Sequence, residues 1–121
     1  MSFGDQVKSW TAKTQRNMDA VFRAALQDVA HDASIPIAKG GNMPVDTGNL
    51  RNSLAGEVGN MPSSGSLDTI ALQIARVHVG DTFYMGWSAD YARVMNARYA
   101  FRDAAAQKWQ KFIDEAVRRV Q

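Results

Sequence analysis

Thr82-Phe83-Tyr84-Met85-Gly86-Trp87-Ser88 is the clearest strand in the chain, with large residues on a two-residue period and a turn, Gly80-Asp81, just before it. Helical spacing dominates both flanks, so this stretch decides between an all-helical chain and a mixed one. Upstream, Ala55 to Gly59 reads as a second short strand, leading into the loop Asn60-Met61-Pro62-Ser63-Ser64-Gly65-Ser66. Leu67 to Val79 carries conflicting signals. Ile70, Leu72 and Ile74 alternate, whereas Leu67, Ile70, Ile74 and Val77 keep a helical step; Ser66 or Asp68 as a cap favours a short helix.

The amino-terminal third reads as one helix from Gly4 to Ala33. Val7, Trp10, Met18, Val21, Phe22, Ala25, Leu26 and Val29 follow three- and four-residue steps. It must stop before Ile35-Pro36, because the residue preceding proline disfavours helical backbone. Some thirty residues span about 45 Å, more than a domain this small needs. Residues 1–34 therefore form either a helix that projects beyond the core, with Trp10 as an exposed anchor, or a frayed extension.

A breaker-rich loop, Lys39-Gly40-Gly41-Asn42-Met43-Pro44, precedes a short helix over Asp46 to Leu54. Asp46 or Thr47 is its expected cap, and Leu50 and Leu54, four apart, its buried stripe. Asp90 is the expected cap of a turn through Tyr91-Ala92-Arg93-Val94-Met95. A last helix runs from Ala100 to Val120, with Trp109, Phe112, Ile113, Ala116, Val117 and Val120 on its apolar face. The expected fold is α+β: a long N-terminal helix and a C-terminal helix packed on a small, mostly antiparallel sheet, in one domain over residues 1–121.

With 121 residues, 45% hydrophobic and 21% charged, the chain has ordinary globular composition rather than that of a disordered segment. No apolar run is long enough for a bilayer, so no membrane partner is expected. Met1-Ser2-Phe3-Gly4-Asp5 lacks the basic flank and apolar core of a signal peptide, so the expected place of action is the cytoplasm or a structure assembled there. The absence of cysteine excludes disulfides, thiolate metal sites and cysteine nucleophiles. Charge is balanced except over residues 101–121, where five basic residues face three acidic ones. A mildly basic helix is not the stripe of a dedicated nucleic-acid binder.

Asp46-Thr47-Gly48 is the one triplet that suggests catalysis. Small homodimeric aspartic proteases use it to build a dyad of carboxylates sharing a proton, one from each subunit. Here Met43-Pro44-Val45 precedes the aspartate instead of an apolar strand, and Asn49-Leu50-Arg51 follows as a helix start. A cap-and-turn role is the stronger reading. His31 and His78 are the only histidines, and no cluster has metal-ligand spacing, so neither metal nor cofactor is expected. Phe83, Tyr84, Trp87, Tyr91, Tyr99 and Phe101 divide between core and contact surface.

Pro44-Val45-Asp46-Thr47-Gly48-Asn49-Leu50-Arg51-Asn52-Ser53 resembles the signature of the tail-completion proteins of long-tailed bacteriophages, Pro-Val-Asp-Thr-Gly-x-Leu-Arg-x-Ser. Two further segments are similar and in order: a strand over Tyr84 to Ser88 followed by Tyr91-Ala92, and Tyr99-Ala100-Phe101-Arg102 opening the last helix. The likeness covers most of residues 44–121. The chain departs from it at Val94-Met95-Asn96-Ala97, where many relatives have Glu-Phe-Gly-Thr, and at Tyr99 and Asp103, which replace prolines. The resemblance implies a non-enzymatic virion protein at the head-tail neck, acting as a homo-oligomeric ring, often of six. Its implied partners are the tail terminator, the head-tail connector or the tail tube, with DNA nearby in the lumen. A tail terminator or head-tail adaptor is the neighbouring alternative. Trp10, Trp87, Tyr91 and Tyr99 are the expected subunit contacts.

Overall fold

The computed structural model describes residues 2–46, 48–62 and 65–120. Helix α1 runs over Phe3–Ser34, about 48 Å. Ser2 caps it by accepting a hydrogen bond from the Asp5 N–H, and the Asp5 side chain accepts from the Ser2 N–H, a reciprocal arrangement that satisfies two otherwise orphaned donors. It ends at Ile35, extended at φ −67°, ψ 120°, as the following proline requires. A 3-10 turn, Ile37–Lys39, doubles the chain back so that Ile37 N–H donates to Met43 O and Met43 N–H to Ile35 O.

Next come α2 (Asn49–Asn52), β1 (Leu54–Val58), α3 (Ile70–Ile74), β2 (Phe83–Trp87), α4 (Ala92–Tyr99), α5 (Phe101–Gln107) and α6 (Trp109–Val120). β1 and β2 form a two-stranded antiparallel sheet in which Leu54 faces Trp87 and Val58 faces Phe83. Gly56 is required there, since a Cβ would lie 2.5 Å from the Phe83 ring. The chain is α+β, and its long N-terminal helix packs chiefly against the C-terminal helix.

Two apolar clusters hold it. The first joins Leu26 and Ala30 of α1, Leu54 of β1, Ile70 and Ile74 of α3, and Val77, with Phe22 and Trp109 meeting edge to face at 6.2 Å beside it. The second joins Met43, Leu50 and Phe101. Trp87 packs against both and stands edge-on to Phe101 at 4.8 Å, so β2 is the wall between them.

Several expectations are corrected. The helix after Asp46 has only four residues, and Leu54 leaves it for β1, because Ser53 O and Leu54 are drawn into the ladder with Ser88 and Trp87. Leu50 and Leu54 therefore serve different clusters. Gly48, in the left-handed region at φ 85°, holds the N-cap position without a side-chain bond, so Asp46 does not cap α2. Thr47, the other candidate, lies outside the described residues, as do Ser63, Ser64 and the Val120 side chain. Tyr91 rather than Asp90 precedes α4, which continues to Tyr99 instead of stopping at Met95. The last helix is broken at Lys108, whose N–H turns back to Ala105 O while its ammonium reaches Asp32 at 3.0 Å.

Candidate functional site

The three segments that carry the sequence resemblance meet around one cavity of about 330 Å³ and the cluster beneath it. Pro44, Val45, Asp46, Gly48, Asn49 and Leu50 line one side; Tyr91, Met95 and Tyr99 line the other. Leu50, almost fully buried, lines the cavity and packs with Phe101 and Met43 in the second cluster. Asn49 Nδ2 donates across the opening to the Tyr91 hydroxyl at 3.4 Å. Val45, Asp46 and Tyr91 remain exposed at the rim.

Most of the polar residues in these segments are committed to the fold. Arg51 Nε donates to Ser34 O at 2.8 Å, tying α2 to the end of α1. The Ser53 hydroxyl donates to Leu50 O at 2.8 Å and accepts from Ala89 N–H at 3.3 Å, joining α2 to the chain leaving β2. Ala92 packs on the second cluster from α4. Arg102 N–H, an orphan donor at the start of α5, is capped by Asn96 Oδ1 at 3.0 Å. Asn96 Nδ2 in turn donates to Asp103, whose carboxyl is held below its ordinary value by hydrogen bonds from Arg102 and Asn96.

The expected contact residues separate. Trp10 is 68% exposed, and Tyr91 is exposed at the cavity rim. Tyr99 is half-buried on the second cluster. Trp87 is half-buried, placed by the β2 alternation between the two clusters. Asp46 leads from an irregular stretch into a four-residue helix, which is not the strand-borne aspartate of an all-β protease. Among the described residues, no group of three His, Cys, Asp or Glu could hold a metal ion, and no helix is long and apolar enough to cross a membrane.

Sequence reasoning missed three residues. Met43, fully buried, falls in the breaker-rich loop; its one signal is an apolar side chain among breakers. Asn96 is a buried cap supplied from a preceding helix, which has no local signature. Asp19, buried on α1, accepts from Val79 N–H at 2.9 Å and Gln15 Nε2 at 3.1 Å and lies 2.9 Å from His78 Nδ1. These bonds, that with His78 foremost, hold its carboxyl below the ordinary range against the opposing effect of burial. Comparison of the chain with protein-family models, curated proteins and solved structures finds no match.

Proposed function

We propose that this chain is a structural, non-enzymatic subunit of the head-tail neck of a long-tailed bacteriophage, made in the host cytoplasm and built into the virion. As one copy in a ring, most simply of six, it completes the tail end and helps join it to the DNA-filled head. The reading starts from the sequence resemblance. The observation that carries it is the convergence of the three resembling segments on one cavity and one cluster. Arg51 and Ser53 are bonded to backbone, and the backbone N–H of Arg102 is capped by Asn96, so the motif residues fix α2 to the end of α1 and to the chain leaving β2, and α4 to α5. The exposed rim, Val45, Asp46 and Tyr91, is then the part offered to a neighbouring subunit.

The test is electron microscopy of lysates from a virus lacking this gene. Filled heads beside free tails, or heads bearing defective tails, are the expected particles; intact infectious virions would overturn the proposal. Asp46→Asn separates the structural from the proteolytic reading. The variant is expected to support normal assembly, whereas loss of virion-protein cleavage in it would establish a protease.

A further inference from the structure

A second pocket, of about 370 Å³, opens where α1 ends and is lined by His31, Ser34, Ile35, Pro36, Lys39 and Arg51. Its volume falls in the range that small-molecule sites occupy. His31 and Ser34 stand three apart in the last turn of α1, Lys39 closes the 3-10 turn, and Arg51 comes from α2. Three of these six residues are basic and none is acidic. Among the described residues none of the three makes an ion pair, since Asp32 is taken by Lys108 and Asp28 by Arg119. Arg51 is half-buried. Its Nε donates to Ser34 O at 2.8 Å, and among the described residues no acceptor meets its two terminal nitrogens. The Ser34 hydroxyl is buried, on a residue only 3% exposed, and has no hydrogen-bond partner.

A buried hydroxyl left unpaired is costly, and so is a half-buried guanidinium without a counter-charge. One anion in this pocket answers both. We infer that the pocket binds a phosphate group, free or carried on a small organic molecule. At neutral pH such a group carries ~1.5–2 negative charges and about three strong acceptor oxygens. That matches the Arg51 fork, the Lys39 ammonium, and the Ser34 and His31 donors together. A carboxylate brings one charge and two oxygens, and would leave part of the set unmet. A cation has no carboxylate to hold it among the lining residues. The carbonyl end of a helix ordinarily repels an anion. Here Ser34 O is occupied by Arg51, and Asp32 O by the Ile35 N–H. Ile35 and Pro36 supply an apolar wall for whatever carries the phosphate. The pocket shares no lining residue with the cavity between α2 and α4, and the inference stands independently of the ring.

Titration of the isotope-labelled full chain with inorganic phosphate, followed through its amide resonances at constant ionic strength, tests it. Saturation is expected with a dissociation constant of about 1 mM, and with shifts confined to residues 31–39 and 49–53. Ser34→Ala is expected to weaken binding about tenfold. It should not lower the melting temperature, since the hydroxyl it removes bonds to nothing in the free chain. A purely structural role for Ser34 would give the reverse, lost stability with affinity kept. Lys39→Gln, at an exposed position, is expected to cost about threefold in affinity and to fold normally. Phenyl phosphate distinguishes the sources: tighter binding than inorganic phosphate assigns the pocket to a phosphorylated organic molecule, weaker binding to the free anion, and both uphold the site. Acetate binding as tightly as phosphate would overturn the assignment. So would shifts that do not saturate by about 50 mM, or that spread over the basic residues of 101–121 as a general salt effect. Ser34→Ala and Lys39→Gln both titrating like wild type would overturn it as well.

Discussion

The two halves of α1 share one helical backbone and differ in everything that holds it. From Asp19 onward the helix packs on α3, α5 and α6, and Ala25, Leu26, Ala30 and Ala33 are buried. From Phe3 to Met18 every residue except the half-buried Thr14 is exposed. That half relies on the Ser2–Asp5 cap, the Thr14 back-bond and the Gln15–Asp19 bond, all local. An isolated helix of about fifteen residues is marginal in water, and an exposed Phe and Trp add nothing to its stability unless something covers them. The difference separates what folds the chain from what its surface is for: the second half is core, the first is offered outward.

Substitutions of similar chemistry can break this comparison. Leu26→Ala removes a buried side chain from the first cluster and is expected to cost about 2–5 kcal/mol in urea unfolding. Val7→Ala, on the free half, should change stability by less than about 0.5 kcal/mol; equal costs would show that both halves are packed. Asp19→Ala, at the boundary, is expected to destabilise less than Leu26→Ala but clearly more than Val7→Ala, because it strands the Val79 N–H and frees the 77–81 turn. Its effect has a pH signature. The native carboxyl is held below its ordinary 3.8, so its contribution is complete above that value and fades as pH falls through the lowered native one. Thermal melts of wild type and Asp19→Ala should therefore lie far apart at neutral pH and converge as pH falls below the ordinary 3.8 and through the lowered native value. A constant gap down to low pH would show that the contact is not ionic.

Much of this was legible in the sequence. Ile35-Pro36 set the end of α1 and the Phe83, Met85, Trp87 alternation set β2, whereas over residues 67–79 a helical step and an alternation competed, and α3 occupies only Ile70–Ile74 of that stretch. What escaped was decided by tertiary contacts. Leu50 and Leu54 keep a helical step, but pairing with β2 outweighs it. Asp46 and Asp90 are good cap residues whose places are taken by Gly48 and Tyr91. Ala100 at φ 57° ends α4 and starts α5, a left-handed conformation that costs alanine about 1 kcal/mol, and nothing in the local sequence announces it. The cavity was not read from the sequence, although residues of the resembling motifs line it.

A proline pair sharpens the comparison to its smallest expected effect. Thr11 and Gln27 are both exposed and both lie inside α1, so proline at either removes a backbone donor and clashes with the preceding turn, about 3 kcal/mol of local cost. In Gln27→Pro the cost falls on a segment whose opposite face is core, and global stability should drop by that amount or more. In Thr11→Pro the residues before the break can fray without exposing either cluster, because local opening is cheaper than unfolding the whole. The urea midpoint should move by less than about 0.5 kcal/mol equivalent, while far-ultraviolet circular dichroism loses the helical signal of roughly ten residues. A Thr11→Pro chain as destabilised as Gln27→Pro would show that the first half is held by the domain, whereas a stable one would show that the two clusters fold without it.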